Sequence, residues 1–290
     1  QLKDGEIIQV TTGLTQYWFS TKGGNIRSIF LHFSSYGTKK AELVSSTTTD
    51  PETLTRSYLQ DPSFPGTLKI NGEWDREISY QASYPVEKKY DQLTLTMTGE
   101  NNGLTIQKKY IIYNNPNYSL GFELEITNNG EEAFALSEDN KLVLESKRDR
   151  ENTGDANYLT DEKAKYFFDG EVSNSILKNT SYSQFGGAGF LGKDLVLFLK
   201  QGKADKGFDS QSGIYPSLTN QRELGVEFEE RNLASGESMK YTLSLYAGRR
   251  RHVPLTQMGL EKIDEIGFFS KLLVPVINFL NQLYKWTGNY

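Results

Sequence analysis

Cysteine is missing from this chain of 290 residues, which excludes disulfides, thiolate metal sites and a cysteine nucleophile. Histidine is scarce: His32 and His252 are the only two. They lie far apart in sequence, and neither has a metal-like partner four residues away, so no zinc site is expected. A serine triad would have to use one of them, and no Gly-x-Ser-x-Gly elbow exists. Each histidine is expected on a strand or at a strand edge. Positive charge is also short. Lys and Arg number 32 against 37 Asp and Glu, a net charge of -5, and the only dense basic run is Arg249-Arg250-Arg251. A nucleic-acid partner, which needs clustered cations, is therefore excluded. No apolar run reaches the roughly 18 residues needed to cross a bilayer, and Gln1 opens no signal peptide. Both ends are abrupt, with a strand pattern almost at once and Gly288-Asn289-Tyr290 soon after an apolar segment. An excised fragment is expected.

The chemistry-bearing patterns fail on context. Gly187-Ala188-Gly189-Phe190-Leu191-Gly192 fits a dinucleotide fingerprint, but a strand follows it where a helix would have to begin. A glycine-rich bend or a close backbone approach is the expected reading. Glu131-Glu132 and Glu229-Glu230 are adjacent carboxylates, and neighbours on a strand point to opposite faces, so solvated charges are expected. Asp50 to Asp61 lacks the ligand spacing of a calcium loop. No catalytic residue, metal or cofactor is expected.

What is present is β structure. Tyr (17), Phe (16) and Gly (26) suit many strands joined by tight turns. Apolar and polar residues alternate in Leu93–Thr98, Ser119–Thr127 and Tyr241–Tyr246, so each should bury one face. Between such runs fall Lys22-Gly23-Gly24-Asn25, Asn71-Gly72, Asn101-Asn102-Gly103, Asn128-Asn129-Gly130 and Ser235-Gly236. Strands so numerous and evenly spaced predict two large antiparallel sheets packed face to face. Residues 45–66 and 148–161 read as surface loops.

The texture changes after Val253-Pro254, dividing a β body, residues 1–253, from a helical segment, residues 254–290. Leu260 to Ile266 predicts a short helix. From Phe269 to Trp286 the period is near 3.6. Phe269, Leu272, Leu273, Val276, Ile277, Phe279, Leu280, Leu283, Tyr284 and Trp286 share one half of the wheel. Pro275 sits one turn in and predicts a bend. Periodicity alone allows two readings: a terminal helix packed on its own domain, or a helix lying flat in a membrane interface with Trp286 and Tyr284 near the headgroups.

Several motifs carry a family resemblance. Phe19 to Ile29, with its Gly23-Gly24 turn, resembles the opening of the periplasmic domain of YidC-type membrane protein insertases. Gly103 to Tyr110 resembles that family's Gly-Leu-x-Ile-x-Lys-x-Tyr strand. Gly186-Gly187-Ala188-Gly189 is similar to its Gly-Gly-Trp-x-Gly segment, with Ala188 replacing the aromatic. Leu245 to Gly248, Gly259 to Glu261, Ile266 to Phe269, Val274 to Leu280 and Gly288 to Tyr290 resemble the passage into the family's second transmembrane helix. Phe268 stands where the family often has Trp, and Arg249-Arg250 where it often has Pro-Lys.

The resemblance implies a β super-sandwich similar to sugar mutarotases, placed on the periplasmic side of the bacterial inner membrane between two membrane anchors. It implies that the terminal helix lies along the membrane surface. The implied partners are the Sec translocon, SecDF and SecYEG, and nascent membrane proteins. Insertion itself is attributed in the family to a membrane core outside this sequence, so the fragment is expected to be an interaction module rather than an enzyme. A mutarotase-like enzyme on the same fold and an unrelated envelope binding module are the alternatives. A histidine in a sheet cleft within reach of a carboxylate would favour the enzyme.

Overall fold

The computed structural model describes residues 5–32, 40–44, 47–49, 56–58, 65–84, 92–114, 118–137, 139–146, 163–168, 171–173, 185–192, 195–202, 214–219 and 223–263, with Phe279 and Gln282. One layer is a nine-stranded antiparallel sheet. Its strands run in the spatial order Glu171–Ser173, Lys163–Phe168, Phe185–Leu191, Leu195–Gln201, Ser238–Arg249, Ser119–Asn128, Leu104–Tyr113, Gln92–Asn101 and Gln81–Ser83. A four-stranded sheet (Ile7–Thr11, Thr15–Ser20, Asn25–His32, Lys40–Val44) and a five-stranded sheet centred on Lys141–Ser146 lie opposite it. All three close on one core containing Phe19, Ile29, Leu68, Ile106, Tyr110, Leu124, Leu142, Leu197, Val226 and Leu245. The expected antiparallel sandwich is the observed fold.

Local sequence dictates much of this. Leu104–Tyr113 alternates buried and half-buried residues without a break, so one side of the strand is core and the other meets water. Asn102-Gly103 joins it to Gln92–Asn101 as a two-residue turn with φ of 50° and 80°, the left-handed pair that a hairpin of this twist requires. Asn71-Gly72 repeats the device at 49° and 81°. Three strands break the alternation: every residue of Phe185–Leu191 and of Leu195–Gln201 is buried, and the last strand, expected to bury one face over Tyr241–Tyr246, is buried without a break from Leu243 to Gly248. These strands are covered on both faces, which explains the continuous apolar run Leu195–Leu199.

Several expectations need correcting. Glu131, Glu132, Glu229 and Glu230 are exposed, but they lie between strands and so are not strand neighbours. Gly187 and Gly189 of the dinucleotide-like run sit inside the Phe185–Leu191 strand and Gly192 just past its end, so the close backbone approach is the observed alternative for Gly187 and Gly189 and the bend is not. His32 ends a strand as expected, whereas His252 opens a helix, His252–Gln257. The helix expected from Leu260 to Ile266 is instead this earlier helix followed by a single 3-10 turn, Glu261–Ile263; residues 264–266 lie outside the described residues.

The packing carries a pH signature. Tyr17 is 1% exposed in the core, and burial pushes its phenol from 10.0 up to about 12 against the opposing hydrogen bond at Thr15. A folded-state value above the unfolded one contributes stability that is intact below pH 10 and disappears as pH rises through about 12. At about 1.4 kcal/mol per unit, this phenol alone should withdraw roughly 2–3 kcal/mol over that window. The urea midpoint is expected to fall steeply there, and while the chain stays folded the Tyr17 contribution to the 295 nm tyrosinate signal should appear only towards pH 12. Full ionisation at pH 10.5 with circular dichroism unchanged would contradict the buried placement.

Candidate functional site

The doubly covered strands define the site. On the outer face of the nine-stranded sheet, Phe167, Leu191, Val196, Phe198 and Tyr246 form a second apolar cluster with Leu255, Met258, Leu260 and Ile263 of the segment after the last strand. Half of the sheet's outer face is therefore a seat for the chain's own C-terminal segment. The other half carries a solvent-facing polar row, in which Lys109 pairs with Glu123 at 3.1 Å and Lys240 lies 3.6 Å from the same carboxylate. Such half-exposed pairs add little stability.

Glycines shape the seat. A Cβ placed on Gly189 would lie 2.4 Å from the carbonyl oxygen of Leu197 and 2.5 Å from the Phe198 ring. One on Gly187 would lie 2.5 Å from the Leu199 carbonyl oxygen and 2.7 Å from the same ring. These glycines flatten their strand into a bed for Phe198. Gly186 is buried beside them. Gly248 plays the equivalent part on the last strand, where a Cβ would stand 2.4 Å from the Tyr118 ring. Tyr118 in turn meets Tyr246 edge-on at 6.2 Å.

The segment seated there is a short helix with a fully formed C-terminal stop. Leu260 N–H donates to the Leu255 carbonyl at 2.7 Å and Gly259 N–H to the Thr256 carbonyl at 3.0 Å, with Gly259 at φ 68°. This is the paired hydrogen-bond pattern of a Schellman ending, completed by contact between buried Leu255 and Leu260. The Met258 carbonyl receives the ammonium of Lys200, which is fully buried and donates at 3.0 Å.

A second polar cluster sits in the core between the layers. Lys108 faces inward between Ile106 and Tyr110 and donates to the carbonyls of Gly23 and Gly66, both at 2.7 Å, and to Asp75. Asp75 also accepts from Tyr80 Oη at 2.9 Å and from Leu68 N–H at 2.9 Å, while Tyr110 Oη donates to the Gly24 carbonyl at 2.6 Å. Burial raises the Asp75 carboxyl and lowers the Lys108 ammonium, with the partner's charge opposing burial in each case. All three ammonium hydrogens have acceptors, which favours the ion pair. The cluster is sealed, so it fastens the Gly23-Gly24 turn to the large sheet and offers nothing to a ligand.

Residues 7–278 match the family described as the YidC periplasmic domain. The chain belongs to that family. Membrane protein insertase YidC of Geobacter sulfurreducens is 26% identical over 283 residues, covering 94% of this chain and 50% of that protein. The chain spans about half the length of the curated YidC relatives it matches. The crystal structure of the Thermotoga maritima YidC periplasmic domain superposes with a TM-score of 0.38 at 12% identity, over 94% of this chain and 95% of that one. A galactose mutarotase related enzyme from Lactobacillus acidophilus gives 0.41 at 9% identity, over 83% and 97%.

The YidC-like motifs named from sequence thus meet in two places. Gly23 and Gly24 join the Gly103–Tyr110 motif through Lys108 and Tyr110, and Gly187, Gly189 and Gly248 converge on the seat. Sequence reading missed Lys108, Asp75 and Lys200 as organising residues. The inward register of Lys108 between Ile106 and Tyr110 was the available signal, as was Lys200 closing an apolar run. Of the ten residues assigned to the interfacial helix, Phe279 alone is described: it is helical and 61% exposed. Phe269, Leu272, Leu273, Val276, Ile277, Leu280, Leu283, Tyr284 and Trp286 lie outside the described residues, as does Pro275. Among the described residues no carboxylate forms an ion pair with His32 or His252, and no group of His, Asp and Glu could hold a metal.

Proposed function

We propose that this domain is the periplasmic interaction and positioning module of a membrane protein insertase of the bacterial inner membrane. In this reading it assists insertion and folding of membrane proteins through contacts with nascent chains and with the Sec translocon, SecDF and SecYEG, and does no covalent chemistry. Its C-terminal helix rests on the membrane surface, apolar face down. The observation that carries the reading is the seat: a sheet face holds the segment through Ile263, and beyond it Phe279, in the stretch whose sequence period predicts a one-sided apolar helix, is helical and exposed. An apolar side chain left in water gains free energy in the headgroup region, at about 25 cal/mol per Å2 of area removed.

Flotation with phosphatidylethanolamine–phosphatidylglycerol vesicles tests this. The chain is expected to float, and a chain ending at Ile266 to stay at the bottom. Equal flotation of both, or of neither at any ionic strength, would rule out the helix as the membrane contact.

A further inference from the structure

We propose that Lys200 is a positioning residue that locks the C-terminal segment onto the sheet and so sets where the terminal helix leaves the body. Its place in the strand is unusual. Lys200 belongs to Leu195–Gln201, every residue of which is buried, and it projects on the outer face beyond Val196 and Phe198. Its cross-strand neighbours are Gly187 and Ser244, neither with a long side chain, so the lysine stem has room along the sheet surface. The ammonium reaches the Met258 carbonyl at 3.0 Å.

That carbonyl is one of the helix-end acceptors that the chain's own turn leaves over. The Schellman ending uses the carbonyls of Leu255 and Thr256. A cation at a helix C-terminus also opposes the negative end of the peptide dipoles. Lys200 therefore fixes one point of the segment by direction, whereas Leu255, Met258, Leu260 and Ile263 fix it only by non-directional burial. Removing the charge should free the segment and leave the sheet standing. The consequence for helix placement rests on the membrane-surface reading above; the lock itself does not.

Hydrogen exchange on the full chain carrying Lys200→Met, which keeps most of the apolar stem, tests the lock in solution without membranes. The amides of Leu255, Met258, Leu260 and Ile263, all hydrogen-bonded within the segment, are expected to exchange roughly tenfold or more faster. Those of Leu104–Tyr113 and Ser119–Asn128 should keep their rates. Unchanged exchange in the segment, or acceleration spread evenly through the large sheet, would overturn the proposal.

A second measurement needs no change at Lys200. Gly259→Pro holds φ near about −65° where the chain needs 68° and removes the N–H that donates to Thr256, so the helix ending breaks and the Met258 carbonyl should be displaced. An amine-acetylating reagent is expected to spare Lys200 but label exposed Lys262 in the parent chain, and to label both in the variant. Rapid labelling of Lys200 in the parent, or protection retained in the variant, would sink the idea. Vesicle flotation is independent of both readouts, so loss of membrane binding and loss of the lock are told apart.

Discussion

Lys108→Met is expected to destabilise the domain by about 3–5 kcal/mol, the usual effect of breaking a buried ion pair by removing one partner. The side chains of Lys108 and Asp75 are 0% and 3% exposed, so water cannot substitute for the lost charge. Asp75→Asn should cost a similar amount, because the ammonium would stay buried without its carboxylate. The double variant Asp75→Leu with Lys108→Met is the sharper test. A simple buried pair can often be exchanged for apolar residues with little loss. Here the carbonyls of Gly23 and Gly66, the Leu68 amide and the Tyr80 hydroxyl would all lose a partner. Each unsatisfied buried group costs about 1–3 kcal/mol, so the double variant should remain well below the parent. Urea midpoints at constant slope would measure this. Parent-like stability in the double variant would mean that the pair, and not the clasp around the Gly23-Gly24 turn, is what matters.

Gly189→Val should be comparably damaging for a steric reason. The new Cβ meets backbone, the Leu197 carbonyl oxygen at 2.4 Å and the Phe198 Cα at 2.5 Å, neither of which can swing aside. Overpacking of this kind typically costs about 1–3 kcal/mol or more, and Val adds two further methyl groups toward the Phe198 ring. A fall in melting temperature of several degrees is expected, given roughly 2–4 °C per kcal/mol in domains near this size. Phe198→Ala in the same chain should not restore it, since the backbone contacts persist. Gly236→Ala is the control: nothing lies within 4 Å of its Cβ, so only the strain of φ 75° remains.

The strands and hairpins were legible because their signals are local. Alternation in Leu93–Thr98 and the Asn-Gly pairs at 71 and 102 state their own conformation. The glycines of 186–189 were legible as glycines but not as a bed for Phe198, because that contact is set by strand pairing. Lys108 and Asp75 lie 33 residues apart and Lys200 and Met258 lie 58 apart, and no periodicity reports which polar groups will face each other in the finished fold. The sequence placed the start of a helical segment at Pro254 but did not delimit the helix His252–Gln257, because it is a turn and a half long and owes its existence to the surface beneath it.

The order of the large sheet has a consequence for biosynthesis. Ser238–Arg249, the last strand in sequence, lies near the middle of the sheet, between Leu195–Gln201 and Ser119–Asn128. A chain delivered N-terminus first must hold two half-sheets with raw, unpaired borders until that strand arrives to join them. Throughout that interval it is exposed to intermolecular strand pairing, so the closing step of folding coincides with emergence of His252–Ile263, the segment that covers the outer face of the strands it joins.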